Sequence, residues 1–429
     1  MKASSTYHRL IARVLVSRLA EVPQRLQILA GPRQVGKTTL VQQVLADRPA
    51  ASYYAVAADD PNLPAEAGWD GLLPILVPSA GGTAPNSDWV QAHWQLAERR
   101  ASAWDKSPHP AVENLPFLLV LDEIQLVAQW SGVIKGLWDG ARARGVRMQV
   151  VLLGSAPLLV QQGLNESLTG RYELIRVAHW SFAEMNDAFG FTLDQYIHFG
   201  GYPGSANLIR DEARWRAYIR DALVEPSIEI DVLAMARVDK PALLRRLFEL
   251  GCNYSGQIVS LDNVSRTLGQ GHTLTLAHHL TLLAQAGLLT GLQKYAAQTI
   301  RQRKSPPKFQ VLNNALMSAS ATYGFNEARA DRSHWGRLAE SAVGAHLVNT
   351  ADADTRIHYW REGDTEVDFV VECRGRLAAI EVKTAVGVSR HQGLDEFCRR
   401  HPDARRCLVG SNELPLGDFL RYDAPYWTR

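Results

Sequence analysis

One short stretch constrains the fold of this chain more than any other: GPRQVGKTT, from Gly31 to Thr39, lies between the apolar run RLQILA (Arg25 to Ala30) and a helix-forming segment from Lys37 to Ala46. A buried strand, a tight glycine turn and a helix in that order make a βα unit. The spacing matches G-x-x-x-x-G-K-[ST], in which Gly31 and Gly36 let backbone N–H groups turn inward and the helix N-terminus adds the positive end of its dipole. Such a loop is expected to cradle the phosphates of ATP. Lys37 would reach the β- and γ-phosphates, and the hydroxyl of Thr38, with Thr39 beside it, would coordinate Mg²⁺.

FLLVLDEIQ (Phe117 to Gln125) supplies the partner motif. An apolar strand, expected beside the strand of the glycine loop, delivers Asp122 to the Mg²⁺ shell and Glu123 as the general base that polarises a water. A strand ending in two solvated acids is the plainer alternative. VVLLG (Val150 to Gly154) is a third apolar strand and is followed by Ser155, a candidate γ-phosphate sensor or an ordinary turn residue. Arg171, in SLTGR ahead of the strand ELIRV, is either an arginine finger aimed at a neighbouring subunit's nucleotide or a solvated arginine. Continuous apolar strands alternating with helices imply a parallel sheet covered on both faces, a three-layer α/β domain.

The 429-residue chain exceeds one core, and two to four domains are expected. Its net charge of +2 neither requires nor excludes nucleic acid. The four cysteines, Cys252, Cys373, Cys398 and Cys407, form no metal-binding spacing, so a reducing cytoplasm is expected. No apolar run approaches the roughly 18 to 20 residues of a membrane span, and residues 7 to 20 read as an amphipathic first helix rather than a targeting signal. The stretch from Asp59 to Asn86, rich in Pro and Gly, reads as an inserted loop ahead of a helix.

From about Pro241 three short helical patterns end at Gly287 and precede the strand-like LLTGLQKY and FQVL, the order of a winged helix-turn-helix. Between those strands Arg301, Arg303, Lys304 and Lys308 form a basic tip. It is either a solvated hairpin end or a wing that meets DNA phosphates.

GPRQVGKTTL, FLLVLDEIQ, GSAPLL, SLTGRYEL, SFAEM and GGYPGS, in this order, resemble the bacterial and archaeal AAA-type P-loop ATPases that carry a C-terminal "domain of unknown function 4143". With an ATPase core expected over 1–190, a helical lid over 191–235, a winged helix over 236–315 and a C-terminal domain over 316–429, the resemblance covers nearly the whole chain and implies the ATP-binding roles given above. It also implies a ring or partial ring of subunits, with Arg171 acting in trans.

In the C-terminal region, YWREGDTEVDFVVECRGRLAAIEVK (Tyr359 to Lys383) reads as a hairpin turning at Arg374 and Gly375. Facing positions then sum to 749. Asp368 lies opposite Glu381 and Glu366 opposite Lys383 on one face, with Val367, Phe369, Ile380 and Val382 on the other. Asp368 with the E-x-K of Glu381 to Lys383 resembles the PD-(D/E)xK nucleases, an α+β restriction-endonuclease-like fold, and Glu340 in GRLAESAV matches the helix acid. The resemblance implies Mg²⁺ held by Glu340, Asp368 and Glu381, with Lys383 stabilising the phosphorane. Cross-strand ion pairs are the alternative. The expected protein is an ATP-hydrolysing DNA-processing enzyme, or else an assembly or signalling switch whose C-terminal domain binds nucleic acid without cutting it.

Overall fold

The computed structural model describes residues 7–59, 86–107, 115–154, 167–233, 240–269, 271–296, 305–383, 391–410, 412 and 414–429. They form two compact units, His8–Val177 and Tyr7 with Ala178–Arg429.

The first unit is built on five strands: β1 (Leu26–Ala30), β2 (Tyr53–Ala57), β3 (Phe117–Asp122), β4 (Met148–Gly154) and β5 (Tyr172–Arg176). They pair in parallel in the order β2-β3-β4-β1-β5. Because side chains alternate across a strand, each apolar strand feeds two cores. Phe117, Leu119 and Leu121 of β3 and Val150 and Leu152 of β4 join Trp89, Trp94 and Trp104 of α3 (Ser87–Lys106) and Trp130 and Trp138 of α4 (Trp130–Ala143). Leu118, Val120, Val151 and Leu153 take the opposite face, with Leu15 and Leu19 of α1 (Ile11–Leu19) and Leu40, Val41 and Val44 of α2 (Lys37–Ala46). Each such side chain contributes roughly 1.5–3 kcal/mol of transfer free energy. The expected three-layer α/β architecture is therefore present.

One detail differs. The strand carrying Asp122 is not beside the strand of the glycine loop; β4 lies between them. Sequence order carries no record of which apolar strand is central. Of the inserted segment, residues 60–85 lie outside the described residues, and α3 begins directly after it, its first amides at Asp88 and Trp89 donating to the Asn86 side chain at 3.1 Å.

In the second unit, helices α5 (Pro241–Asn253), α6 (Leu261–Leu268) and α7 (Thr273–Gln285) precede an antiparallel hairpin of β6 (Leu289–Lys294) and β7 (Lys308–Val311). That hairpin does not stand alone. β6 pairs in parallel with β8 (Thr355–Glu362), so the sheet runs β11-β10-β9-β8-β6-β7, with β9 (Thr365–Cys373), β10 (Arg376–Val382) and β11 (Arg405–Val409). Strand pairing thus crosses the division expected at 315/316. The β9–β10 turn is made by Arg374 and Gly375, both at positive φ (50° and 75°), as a two-residue hairpin matching the strand twist requires. The long helix α8 (Arg332–Thr350) packs against β7, β8 and β10. Among the described residues no helix is long and apolar enough to cross a membrane.

Candidate functional site

The parallel sheet brings three strand ends to one edge. β1 ends at Ala30, paired level with Gly154 at the end of β4, and β3 ends at Asp122. The glycine loop leaves that edge, where ligands of open α/β sheets bind. A side chain at Gly31 would place its Cβ 2.0 Å from the carbonyl oxygen of Val177, so only glycine fits there. Gly36, at φ 85°, occupies the left-handed N-cap position of α2. The first helical hydrogen bond runs from the Leu40 N–H to the Gly36 carbonyl at 2.9 Å, leaving the amides of residues 37–39 ahead of the helical ladder. The buried Lys37 ammonium donates to the carbonyls of Gly31 (2.9 Å) and Pro32 (2.8 Å), which places it inside the loop.

The two motifs meet through one hydrogen bond. The Thr38 hydroxyl donates to Asp122 Oδ2 at 2.7 Å, and the other Asp122 oxygen accepts from the Glu123 N–H at 2.8 Å. Two hard oxygen ligands converging beside a cradle of backbone amides fit Mg²⁺, with Thr38 and Asp122 as its protein partners. Glu123 sits at φ 50°, a left-handed conformation that turns its side chain away from the strand direction, and Gln125 Nε2 donates to its carboxylate. Thr39, the next residue, is exposed on the first turn of α2. Arg9 was not foreseen: its buried guanidinium donates to the Val35 carbonyl at 3.2 Å and braces the loop from the chain segment ahead of α1. An arginine entering an amphipathic helix gives no sequence signal for this contact.

Ser155 lies outside the described residues. Arg171 lies just before β5, where its carbonyl accepts from the Leu26 N–H at 2.8 Å. It is therefore at the start of β1, about 16 Å of strand away from the glycine loop. Its guanidinium forms a two-pronged pair with Asp139 of α4 at 2.8 and 3.0 Å.

The C-terminal hairpin has the expected register: Arg376 faces Cys373 and Ile380 faces Phe369, each pair summing to 749. Val367, Phe369, Ile380 and Val382 are buried. Asp368 Oδ2 accepts from the Val382 N–H at 2.8 Å, and the Lys383 ammonium lies 2.8 Å from Glu381 Oε1. Glu340, Glu366 and Asp368 are also brought together, but around a lysine. Lys308, expected at a basic hairpin tip either solvated or facing phosphates, is fully buried, with its Nζ 2.7 Å from Glu340, 3.6 Å from Glu366 and 3.7 Å from Asp368. It belongs to the hairpin strand β7 and not to its tip. Arg301, Arg303 and Lys304 lie outside the described residues.

Burial works against the Lys308 charge, but Glu340, Asp368 and Glu366 outweigh it and hold the ammonium well above its ordinary range. Burial, then the Asp368 charge, pushes Glu340 up to about 7. The same two causes raise Glu381, whose Oε2 is buried with no hydrogen-bond partner. Among the described residues no group of three or more His, Cys, Asp or Glu side chains is placed to hold a metal ion. The expected Mg²⁺ ligands are divided in this arrangement: Glu340 and Asp368 face the Lys308 ammonium, whereas Glu381 is paired with Lys383, the expected catalytic cation.

Three family descriptions match successive parts of the chain: an AAA domain over residues 95–186, a domain of unknown function, DUF8612, over 190–327, and DUF4143 over 335–420. The chain is 26% identical over 399 residues to an uncharacterised protein of Mycobacterium tuberculosis, covering 91% of this chain and 78% of that one. Among solved structures it is similar to a Walker-type ATPase of Pyrococcus abyssi (14% identity, TM-score 0.44, covering 72% of this chain and 94% of that one). It is also similar to the Orc1 protein of Aeropyrum pernix, solved in complex with DNA (15% identity, TM-score 0.30, covering 75% and 93%). The chain thus joins an AAA domain of parallel-sheet P-loop ATPase fold to a DUF4143 domain.

Proposed function

We propose that this chain is a Mg²⁺-dependent ATPase whose nucleotide cycle drives the engagement of DNA by its second unit, in an assembly of several copies. The observation that carries the ATPase reading is the 2.7 Å hydrogen bond from Thr38 to Asp122, which joins the two motifs at one sheet edge. Lys37 exchanges its loop carbonyls for the β- and γ-phosphates, Thr38 and Asp122 hold the metal, and Glu123 takes a proton from the attacking water. Mg²⁺ neutralises phosphate charge when bound. The DNA reading is supported by the order α5, α6, α7, β6, β7 and by the basic sequence from Arg301 to Lys304 that joins the two strands. Cleavage is no part of the proposal, since Lys308 fills the carboxylate cluster.

The test is ATP hydrolysis by the full chain with and without duplex, single-stranded and branched DNA. Stimulation by DNA, lost in Lys37→Ala, is expected. Hydrolysis that no DNA form alters would leave the ATPase standing and favour the second reading, an assembly or signalling switch.

A further inference from the structure

The carboxylate cluster of the second unit gathers its oxygens around an ammonium. Four oxygens from two elements turn toward one point: Glu340 Oε1 from α8, and Glu366 Oε1, Asp368 Oδ1 and the Asp368 carbonyl from β9. The atom at that point is Lys308 Nζ, which donates to the Asp368 carbonyl at 3.1 Å and lies 4.8 Å from the centre of the Phe369 ring. Its side chain is 0% exposed. In the sheet order β7 is separated from β9 by β6 and β8, three spacings of about 4.8 Å if the sheet were flat, more than a lysine side chain spans. The start of β7 nonetheless lies against β9, since Lys308 Nζ reaches both the carbonyl and the carboxylate of Asp368.

An ammonium held this way is costly to desolvate unless its partners are charged and well placed. Here they are, and the converse also holds: without Lys308 three part-buried carboxylates would face one another with only the half-exposed Lys383, already paired with Glu381, as a nearby counter-charge. Glu381 Oε2, buried and without a hydrogen-bond partner, adds a further unsatisfied acceptor beside Asp368.

We propose that Lys308 is the resident cation of this cluster, a tethered ammonium standing between Glu340 and Asp368, two of the three carboxylates expected to hold Mg²⁺. The cluster is a cation site closed from within, and the second unit folds without a divalent ion. Removing the ammonium converts the same oxygens into a divalent-cation site, because a hard ion of charge +2 is the ligand such a set takes once space is made. The inference does not depend on the ATPase reading.

The experiment uses the full chain without nucleotide. Bound Mn²⁺ is counted from the electron paramagnetic resonance signal of the free ion, and melting is followed in chelator and in Mn²⁺, for the parent, Asp368→Asn, Lys308→Met and Lys308→Met/Asp368→Asn. Parent and Asp368→Asn should bind equal Mn²⁺ and show equal melting shifts, any weak binding in the first unit being common to both. Lys308→Met should melt below the parent in chelator, bind one further Mn²⁺ per chain and regain melting temperature with it, and the double variant should lose both gains. Two results overturn the proposal: a parent that binds more Mn²⁺ than Asp368→Asn, or a folded Lys308→Met that gains none. Should Lys308→Met fail to fold in chelator and in Mn²⁺ alike, the comparison of parent with Asp368→Asn alone decides.

Discussion

Asp122 and Glu123 are chain neighbours with different surroundings. Asp122 is buried at the end of β3, with one oxygen on the Thr38 hydroxyl and the other on a backbone amide, so its carboxylate is held where the proposed metal would sit. Glu123 is turned out of the strand at positive φ and meets the Gln125 amide, so its carboxylate is oriented but not committed to the metal. In the proposed cycle binding and proton removal therefore fall to separate groups. Glu123→Gln should keep ATP affinity within a few-fold while turnover falls by about 10² to 10⁴, the usual contribution of a positioned base. Titration with ATP and steady-state phosphate release measure the two quantities, and normal turnover would take Glu123 out of this role. The convergence of Lys37, Thr38 and Asp122 at one sheet edge was legible in the sequence because the spacing of a glycine loop and of an apolar strand ending in acid sets where each residue falls. Arg9 and Lys308 were not, since each acts through a contact that only the folded chain creates, and Lys308 read as a wing-tip cation because it is near Arg301 to Lys304 in sequence alone.

At the scale of elements, helix α3 is held against β2 by a polar contact inside an otherwise apolar core. The Tyr54 hydroxyl lies 2.6 Å from His93 Nδ1, Trp89 packs on the imidazole, and the Arg100 guanidinium lies 4.7 Å from the Tyr54 ring centre. Burial pushes His93 down to about 4. The folded form thus resists a proton that the unfolded chain accepts below its ordinary 6.5, so this contribution to stability is full above pH 6.5 and is lost as pH falls toward 4. At pH 5 the loss is roughly 2 kcal/mol by linkage. The full chain should therefore melt lower at pH 5 than at pH 7, and His93→Gln, which keeps a partner for Tyr54, should shrink that difference; an unchanged slope would show that His93 is not the titrating group. The same scale separates what sequence could reveal from what it could not. The β9–β10 register was readable because a two-residue turn of Arg374 and Gly375 leaves one pairing, whereas the place of β4 between β1 and β3 was hidden, since three equally apolar strands carry no order of their own.

For the whole molecule, the position of Arg171 decides whether one chain can complete its own site. Arg171 stands at the start of β5, level with Leu26, and the glycine loop leaves the far end of β1. The roughly 16 Å of strand between them exceeds the reach of an arginine side chain, so any role in phosphate transfer has to be played on the nucleotide of another copy. Its two-pronged hold on Asp139 fixes the guanidinium at the surface of α4, with about a third of the side chain exposed. If that surface meets a neighbouring copy, Arg171→Ala and Lys37→Ala proteins should each be inactive for different reasons. The first binds ATP but receives no arginine, and the second offers an arginine but binds no ATP. Mixed at equal amounts and allowed to exchange, they should recover hydrolysis at interfaces that pair an intact loop with an intact arginine, about a quarter of those in a random closed ring. Sedimentation must first show that mixed assemblies form. Given that, an inactive Arg171→Ala protein with zero recovery would rule out action in trans, whereas Arg171→Ala protein that melts lower but keeps its turnover per folded chain would mean that Arg171 serves only to tie β5 to α4.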